Sequence, residues 1–370
     1  MQNNRVFGLD LLRAIAISLV VLSHCTFILC EDTDNPILLA IRSLGAIGVD
    51  LFFVLSGYLI GGIILKQINS GKTKFNDFLR FWKRRWFRTL PNYFLVLLIN
   101  ILIVVLTNEN LPGKILLYIP FLQNFSSQHP DFFTEAWSLS IEEYSYLILP
   151  LVLFLALYFL KNINSKQKVF IWVTITLIVV QFFFKIGYYV QTSIESLGEW
   201  SSTFRKVVVY RLDMIYYGFV LIYFFTKNPY FFNRYKKILL LISIFIFSIV
   251  HVLIFIYQIM PQSHLAFYVF AYLPLIAICC ALIFPIATNL NTVSRFQKGI
   301  YFLSTRSYAI YLINYSIVLL NLKNLFNLGM MSLFMKFGTI VLFLSVTILL
   351  SDLLYRYFEK PILNYRDSKY

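Results

Sequence analysis

The segment FGLDLLRAIAISLVVLSHCTFILC, residues 7–30, decides the fold class of this 370-residue protein. It is apolar except for a few positions, among them Asp10, Arg13 and His24. As a helix it is long enough to cross the hydrocarbon core of a bilayer, which takes about 20 residues. Because Arg13 interrupts the run and no small-residue cleavage pattern follows, we interpret it as a retained transmembrane helix and not as a signal peptide.

The composition extends this interpretation to the whole chain. Hydrophobic residues make up 59% of the sequence and charged residues 13%, and the mean hydropathy is +0.74, whereas soluble domains carry about 25% charged residues. A soluble multidomain enzyme is therefore excluded. Apolar runs predict an all-α integral membrane protein with ten transmembrane helices, near residues 7–30, 43–65, 91–107, 137–160, 169–190, 207–226, 238–258, 265–287, 301–321 and 334–354.

The segments between these helices predict how the chain is organised. The stretch 114–125 is short and broken by proline, so we expect it to be interfacial or re-entrant. No connecting segment is long enough to form an independent core. We therefore expect residues 1–370 to form a single membrane domain without an appended soluble domain.

The charges follow the same layout. With ten spans, the connecting segments on one side hold 22 Lys and Arg and three acids, and those on the other side hold five Lys and Arg and eight acids. This bias predicts that both termini are cytoplasmic. The net charge of +15 is thus a topology signal, and we expect no nucleic-acid partner.

The cysteines show no spacing typical of a metal site or a disulfide framework. Cys25 and Cys30 fall near one helix end, and Cys279 and Cys280 are adjacent inside an apolar run. We expect them to pack as small apolar side chains and expect no bound metal.

Ionisable residues inside the predicted spans are candidate functional residues, because burying them in lipid costs several kcal/mol. Arg13 and His24 lie on nearly one stripe of the first helix, about 16 Å apart. Counting residues from the helix ends places Asp10 and Arg13 toward the cytoplasmic side of the membrane, in what we call the inner tier. The residues placed toward the external side form the outer tier, which contains His24, Asp50, Glu142, Glu143, Arg211 and Asp213.

A histidine with carboxylates at the same depth indicates a general base that activates a hydroxyl. We therefore expect Glu142 or Glu143 to orient His24, and Asp50 either to act as a second carboxylate or to hold Arg211. His129 and His264, in predicted external loops, are weaker candidates, and His251 is expected to be structural.

A basic segment, RFWKRRWFR at residues 80–88, precedes Pro91. Such a segment can anchor a helix at anionic membrane lipid. Arg85 and Arg88 are also spaced as a pair that can bind phosphate through bidentate hydrogen bonds. The alternatives are thus a lipid anchor and a site for a phosphorylated cytosolic ligand.

Seven blocks together resemble the acyltransferase-3 family, the integral membrane acyltransferases that modify cell-envelope carbohydrates. In order they are GLDLLRAIAISLVVLSH (8–24), GVDLFFVLSGYLI (48–60), RRWFRTLPNYF (84–94), WSLSIEEYSYLILP (137–150), YRLDMIYYG (210–218), SYAIYLINYS (307–316) and YRYFEKP (355–361). Nearly the whole chain is covered, in the short, stand-alone form of the family.

The resemblance implies roles for individual residues. It implies that Arg13 and His24 are catalytic and that Glu142 is the first acid of a family block; we add Glu143 to the catalytic candidates because it lies beside Glu142. It implies that Arg85 and Arg88 bind acyl-CoA, and we add Arg84 as a supporting residue. Further residues are expected to support the site or bind substrate, namely Asp10, Asp50, Ser56, Arg211, Asp213 and Glu359. Many relatives have His where this chain has Asn314, which puts a catalytic role for that position in doubt.

The expected activity is transfer of acetyl from cytosolic acetyl-CoA to a sugar hydroxyl of a surface polysaccharide at the external face of a bacterial inner membrane. O-antigen, capsule, exopolysaccharide, a Nod-type oligosaccharide or a small osmolyte are all compatible acceptors, free or lipid-linked. In this scheme Arg13 lines the path of the acyl arm. Direct transfer is the simpler mechanism, and a mechanism through an acyl-enzyme intermediate is the other option.

Two other functions are compatible with the sequence. The main alternative is a transporter or flippase for an acyl donor or lipid-linked sugar, and the third is a membrane scaffold.

Overall fold

The computed structural model describes residues 5–30, 35–160, 165–290 and 294–369, and in these ranges the regular structure is helical. Ten main helices follow one another along the chain. They are α1 (Phe7–Leu29), α2 (Pro36–Asn69), α3 (Phe75–Leu106), α4 (Ala136–Phe159), α5 (Lys166–Gln191), α6 (Asp213–Lys227), α7 (Pro229–Ile256), α8 (Phe267–Ala287), α9 (294–325) and α10 (Leu333–Lys369).

Each predicted segment coincides with one of these helices, so the all-helical membrane class is confirmed. Among the described residues, eight helices are long and apolar enough to cross a membrane: α1 to α5, α7, α8 and α10. Helix α6 has only 15 residues, and a wide π-helical turn interrupts α9 at Asn314–Leu319. The count of ten spans and the cytoplasmic termini stay predictions.

Several predicted boundaries were wrong, most of all that of α3. This helix begins at Phe75 and contains Pro91, whereas residue 91 was predicted as its start. The apolar scan ends where the charged residues begin, but a helix can continue past the hydrocarbon with charged side chains on its surface. Helices α2, α7 and α10 are longer than predicted for the same reason, and α6 begins later because a 3₁₀ turn at Val208–Tyr210 precedes it.

The centre of the bundle is formed by α1, α2, α6 and α9. Helix α2 packs against both α1 and α6, and α1 also packs against α9. At the α2–α6 crossing the backbones touch, because a Cβ at Gly57 would lie 2.0 Å from the carbonyl oxygen of Ile215 and one at Gly218 would lie 2.3 Å from that of Val54. Small residues of this kind allow helices to approach closely in a membrane.

Helices α5, α7 and α10 lie at the periphery. They expose large apolar side chains such as Phe183, Phe245 and Phe334, as expected for surfaces that face lipid. Cys25, Cys279 and Cys280 are buried, in agreement with a packing role.

The loop 107–135 covers the end of the bundle where α1 finishes and α4 begins. It contains a 3₁₀ turn, Ile115–Tyr118, within the stretch predicted not to span. The Tyr93 hydroxyl donates to the Tyr118 carbonyl at 2.8 Å, and the Tyr118 hydroxyl donates to the Phe132 carbonyl at 2.7 Å. The Asn124 amide donates to the Lys206 carbonyl at 2.6 Å. The first bond fixes the loop to α3, the second closes the loop on itself, and the third joins it to the segment between α5 and α6.

Candidate active site

A cavity of about 1130 Å³ enters the bundle between α1, α2, α3, α4, α9 and α10. Arg5, Arg366 and Asp367 line it near the chain termini, where α1 begins and α10 ends, and Ser138 and Tyr311 line it within α4 and α9. Seven predicted site residues share its wall: Asp10, Arg13, Ser56, Arg85, Arg88, Glu142 and Glu359. The structure therefore brings together residues that are up to 349 positions apart in the sequence.

Asp10 is the centre of a polar network on the α1 side of this cavity. Its buried carboxylate accepts hydrogen bonds from Arg5 at 2.7 Å, from Arg13 at 3.3 Å and from the Ser304 hydroxyl at 2.5 Å. Arg13 also donates to Ser304 at 3.3 Å. Arg13 is thus held against the wall by α9, and it keeps part of its surface toward the cavity.

Glu142 connects three helices on the opposite wall. One carboxylate oxygen accepts from the Ser56 hydroxyl of α2 at 3.1 Å, and the other accepts from Arg85 of α3 at 3.2 Å. The Arg85 guanidinium also lies 4.3 Å from the centre of the Tyr146 ring. The neighbouring Glu143 accepts a hydrogen bond from Thr89 at 2.8 Å.

These contacts correct two predictions. Glu142 was predicted to lie in the outer tier, and the basic segment was predicted to lie outside the third span, on the cytoplasmic side. Glu142 and Arg85 nevertheless form an ion pair. The separation was wrong because α3 begins at Phe75, so Arg85 lies ten residues inside a helix. The expected pairing of His24 with Glu142 or Glu143 is also absent, because both carboxylates face α2 and α3.

Arg88 lines the cavity with a guanidinium that is unpaired among the described residues. It makes no hydrogen bond or ion pair with any residue that the structure describes. The nearby Glu359 lies in a wide turn, Tyr355–Glu359, and accepts a hydrogen bond from Asn92 at 2.8 Å. A guanidinium in this state can take an anionic ligand without first breaking an ion pair.

A second cavity, of about 550 Å³, adjoins the first and contains Arg84. Arg80, Arg84 and Arg88 are spaced four residues apart and form a stripe along α3. The two cavities share Arg85, Arg88 and Arg366, and the second also contains Lys66, Lys72, Arg80 and Arg84. Among the described residues Asp77 is the one acid in its wall, and its carboxylate accepts a hydrogen bond from the backbone N–H of Lys74 at the start of α3. The arrangement concentrates positive charge in a concave surface suited to a polyanion.

His24 lies outside the lining of both cavities. Its Nδ1 contacts Oδ1 of Asn314, and its ring lies 4.9 Å from that of Tyr315. Asn314 is three residues beyond Tyr311, whose hydroxyl lies 2.7 Å from the Ser138 hydroxyl at the inner end of the large cavity. His24 is therefore about one helical turn past the point where that cavity stops.

The remaining predicted residues form two buried ion pairs away from the cavity. Arg211 donates to Asp50 at 2.5 Å, and Lys185 pairs with Asp213. The sequence left two roles open for Asp50, and the structure favours holding Arg211. The first pair joins α2 to the turn just before α6 and the second joins α5 to α6, and none of the four residues lines either of the two cavities described above.

Sequence reasoning missed Ser304 and Glu135 and undervalued Asn314. Glu135 is buried and accepts two hydrogen bonds from Ser316, one from its backbone N–H at 3.1 Å and one from its hydroxyl at 2.7 Å. Burial raises the pKa of Glu135 to about 7. Its position in a predicted loop hid it, because only ionisable residues inside spans were considered.

Comparison with known proteins identifies the family of the chain. The family described as "Acyltransferase domain" matches residues 6–356. A relative named O-acetyltransferase OatA from Staphylococcus aureus is 28% identical over 96% of this chain and 57% of its own length. Peptidoglycan O-acetyltransferase OatA from Listeria monocytogenes is 30% identical over 44% of this chain and 26% of its own length. The chain thus spans little more than half of the Staphylococcus relative, and no solved structure matches it.

Proposed function

The chain belongs to the acyltransferase domain family, and from this we propose that it is a multi-pass O-acyltransferase of a bacterial inner membrane. It would move an acetyl group from acetyl-CoA to a sugar hydroxyl of a cell-envelope polysaccharide. The observation that carries this proposal is the large cavity, which begins at a strongly basic entrance and passes Arg13 and Glu142. It ends at Ser138 and Tyr311, about one helical turn of α9 before the residue that contacts His24.

The basic entrance suits the donor. Coenzyme A carries a diphosphate and a phosphate monoester, and arginine binds such groups through paired hydrogen bonds. Arg88 has no partner within the described chain, and Arg84 and Arg85 lie beside it. We therefore assign these three arginines to the phosphates of acyl-CoA that enters from the cytoplasm.

The walls beyond the entrance suit the acyl arm. Arg13 is fixed by Asp10 and Ser304, and Glu142 fixes Arg85. In this proposal Glu142 positions the donor site and does not orient the base. The acyl group reaches His24 when the hydrogen bond between Ser138 and Tyr311 opens.

The reaction itself needs one base. The acceptor hydroxyl gives its proton to Nε2 of His24 while its oxygen attacks the thioester carbon. The new C–O bond forms, the C–S bond breaks, and the departing thiolate takes the proton from the imidazolium. A positioned base of this kind contributes about 10²–10⁴-fold to a rate.

The acceptor class follows from the relatives. The Listeria relative is named a peptidoglycan O-acetyltransferase, so a peptidoglycan glycan is the first acceptor to test. O-antigen, capsule and exopolysaccharide are the further candidates from the sequence. Each presents sugar hydroxyls at the external face of the membrane, where His24 would act.

The test uses purified protein in liposomes with radiolabelled acetyl-CoA outside and a glycan inside or outside. We expect label to become covalently bound to the glycan. His24→Ala and Arg88→Ala should each abolish transfer while the protein still accumulates in the membrane. His251→Ala and Arg234→Ala are matched controls, because His251 contacts the Phe247 carbonyl and Arg234 contacts Tyr230, both away from the cavities.

Three results would overturn the proposal or its parts. Label that crosses the membrane without joining the glycan would identify a transporter. Normal product from His24→Ala would remove His24 as the base. An unchanged KM for acetyl-CoA in a partly active Arg88→Lys variant would remove the donor assignment.

A further inference from the structure

We propose that Asn314 sets the proton position on His24 and thereby makes Nε2 the basic nitrogen. The catalytic meaning of this inference rests on the proposed function, but the proton position does not. Asn314 is fully buried at the first residue of the wide turn Asn314–Leu319 in α9. Its side chain is the described partner of His24 Nδ1.

The orientation of the Asn314 amide is fixed by its other contacts. Its Nδ2 lies 2.7 Å from the Ile310 carbonyl oxygen and 2.9 Å from the Tyr311 carbonyl oxygen. Carbonyl oxygens only accept hydrogen bonds, so the NH₂ group must face them. The oxygen Oδ1 therefore faces His24, and a flipped amide would lose both of these bonds.

The orientation of the amide decides the tautomer of the imidazole. Oδ1 of Asn314 can only accept, so Nδ1 of His24 must carry the proton. In the neutral ring the lone pair is then on Nε2. Nε2 makes no hydrogen bond within the described residues, so it is available to take a proton from an acceptor.

The surrounding structure keeps Asn314 in place. Ser316, two residues on in the same turn, is held by two hydrogen bonds to the buried carboxylate of Glu135. Such wide turns in helices are frequent at functional sites, because the extra residue redirects the side chains that follow. Glu135 thus joins the start of α4 to the turn that carries Asn314.

Asn314 is accordingly a positioning residue that acts through His24. An amide holds the neutral ring in one tautomer but does not stabilise the imidazolium as a carboxylate would. In a serine-protease triad, placing the catalytic histidine in the wrong tautomer, with the geometry unchanged, reduces kcat about 10⁴-fold. We expect Asn314→Leu to reduce transfer by about 10²–10⁴-fold at saturating donor, with little change in the KM for acetyl-CoA.

Asn314→Asp separates positioning from packing. The carboxylate accepts from Nδ1 as the amide oxygen does, so it keeps the lone pair on Nε2. Its charge also stabilises the protonated ring. We expect this variant to keep measurable transfer at high pH and to move the acid limb of the pH–rate profile to higher pH.

A matched control is present in the same helix. The Asn321 amide donates to the Ser316 carbonyl at 3.3 Å and the Ile317 carbonyl at 2.8 Å, so it bonds backbone as Asn314 does. It has no described contact with a histidine. Asn321→Leu should leave both the rate and its pH dependence close to those of the unmodified protein.

The direct test is ¹⁵N NMR of protein labelled at its four histidines, with His24→Asn used to identify the His24 signals. We expect a protonated Nδ1 and an unprotonated Nε2 in the unmodified protein at pH 8. Asn314→Asp should retain this protonation state, and Asn314→Leu should lose it.

A protonated Nε2 in the unmodified protein would overturn the inference without any variant. An Asn314→Leu protein with unchanged signals and rate would also overturn it. If the expected signals appear but no acyl transfer occurs, the proposed function fails and the tautomer assignment stands.

Discussion

Asp50→Asn tests whether the buried Asp50–Arg211 pair holds the bundle together. The Arg211 side chain is 0% exposed and lies 2.5 Å from Asp50. Its other two nitrogens, Nε and Nη1, have no hydrogen-bond partner among the described residues. Among the described residues, Asp50 is therefore the carboxylate in contact with this guanidinium, and the Phe53 ring lies 5.7 Å from it.

The magnitude follows from this burial. Removing one partner of a buried pair destabilises a protein by about 3–5 kcal/mol, because the remaining charge is left uncompensated. The Phe53 ring offsets about 2 kcal/mol of that. A loss of about 3 kcal/mol corresponds to an approximately 150-fold change in the unfolding equilibrium, or about 4 °C in the unfolding midpoint of a chain of this length.

The assay is thermal unfolding of detergent-solubilised protein, followed by intrinsic fluorescence, for a complete double-mutant cycle. Asp50→Asn and Arg211→Met should each lower the midpoint strongly. The double variant should be clearly more stable than the sum of the two losses predicts, because neither charge is left alone. Asp367→Asn is the control, since Asp367 is 54% exposed where it pairs with Arg84 and Arg366, and such exposed pairs should contribute less than about 1 kcal/mol each.

Two outcomes would refute the reasoning. If the two single losses add in the double variant, the residues are not coupled as the distance implies. If Asp50→Asn keeps its midpoint but loses all acyl transfer, Asp50 has a catalytic role and not the structural one assigned here.

Three further changes test other parts of the structure. Gly57→Ala should lower the free energy of unfolding by about 1–3 kcal/mol, because its Cβ would lie 2.0 Å from a backbone oxygen of α6. Gly62→Ala is the control, since the nearest atom to its Cβ lies at 3.6 Å, and it should leave the unfolding midpoint unchanged. Burial lowers the pKa of His129 to about 4, so stability present above pH 6.5 should fall by about 3 kcal/mol as the pH drops toward 4, and thermal scans of His129→Asn should lack this slope. Glu142→Gln should raise the KM for acetyl-CoA several-fold by releasing Arg85, and an unchanged KM would contradict that positioning role.

The revised role of Glu142 changes how the site is understood. Glu142 and Glu143, which were predicted to lie at the depth of His24, do not contact it. The uncharged Asn314 does. Glu142 and Glu143 instead bind Arg85 and Thr89, which places them beside the basic segment of α3, where we propose that the donor binds. The candidate donor residues and the candidate base thus lie in two connected regions, with Ser138 and Tyr311 between them.

The sequence by itself determined the class of the protein and the approximate position of every main helix. Hydrophobic length is a property of consecutive residues, so it can be read without a structure. The same holds for the ordered blocks that carry the family resemblance and for the single stripe that Arg13 and His24 share on α1. These features depend on local spacing alone.

Only the tertiary structure decided which side chains meet. Depth along a helix follows from counting residues, but the rotation of each helix about its axis depends on its neighbours. That rotation turns Glu142 toward Arg85 and away from His24, and the early start of α3 brings Arg85 into reach. The wide turn at Asn314–Leu319 adds a residue that no apolar pattern reveals, and it is this turn that presents Asn314 to His24.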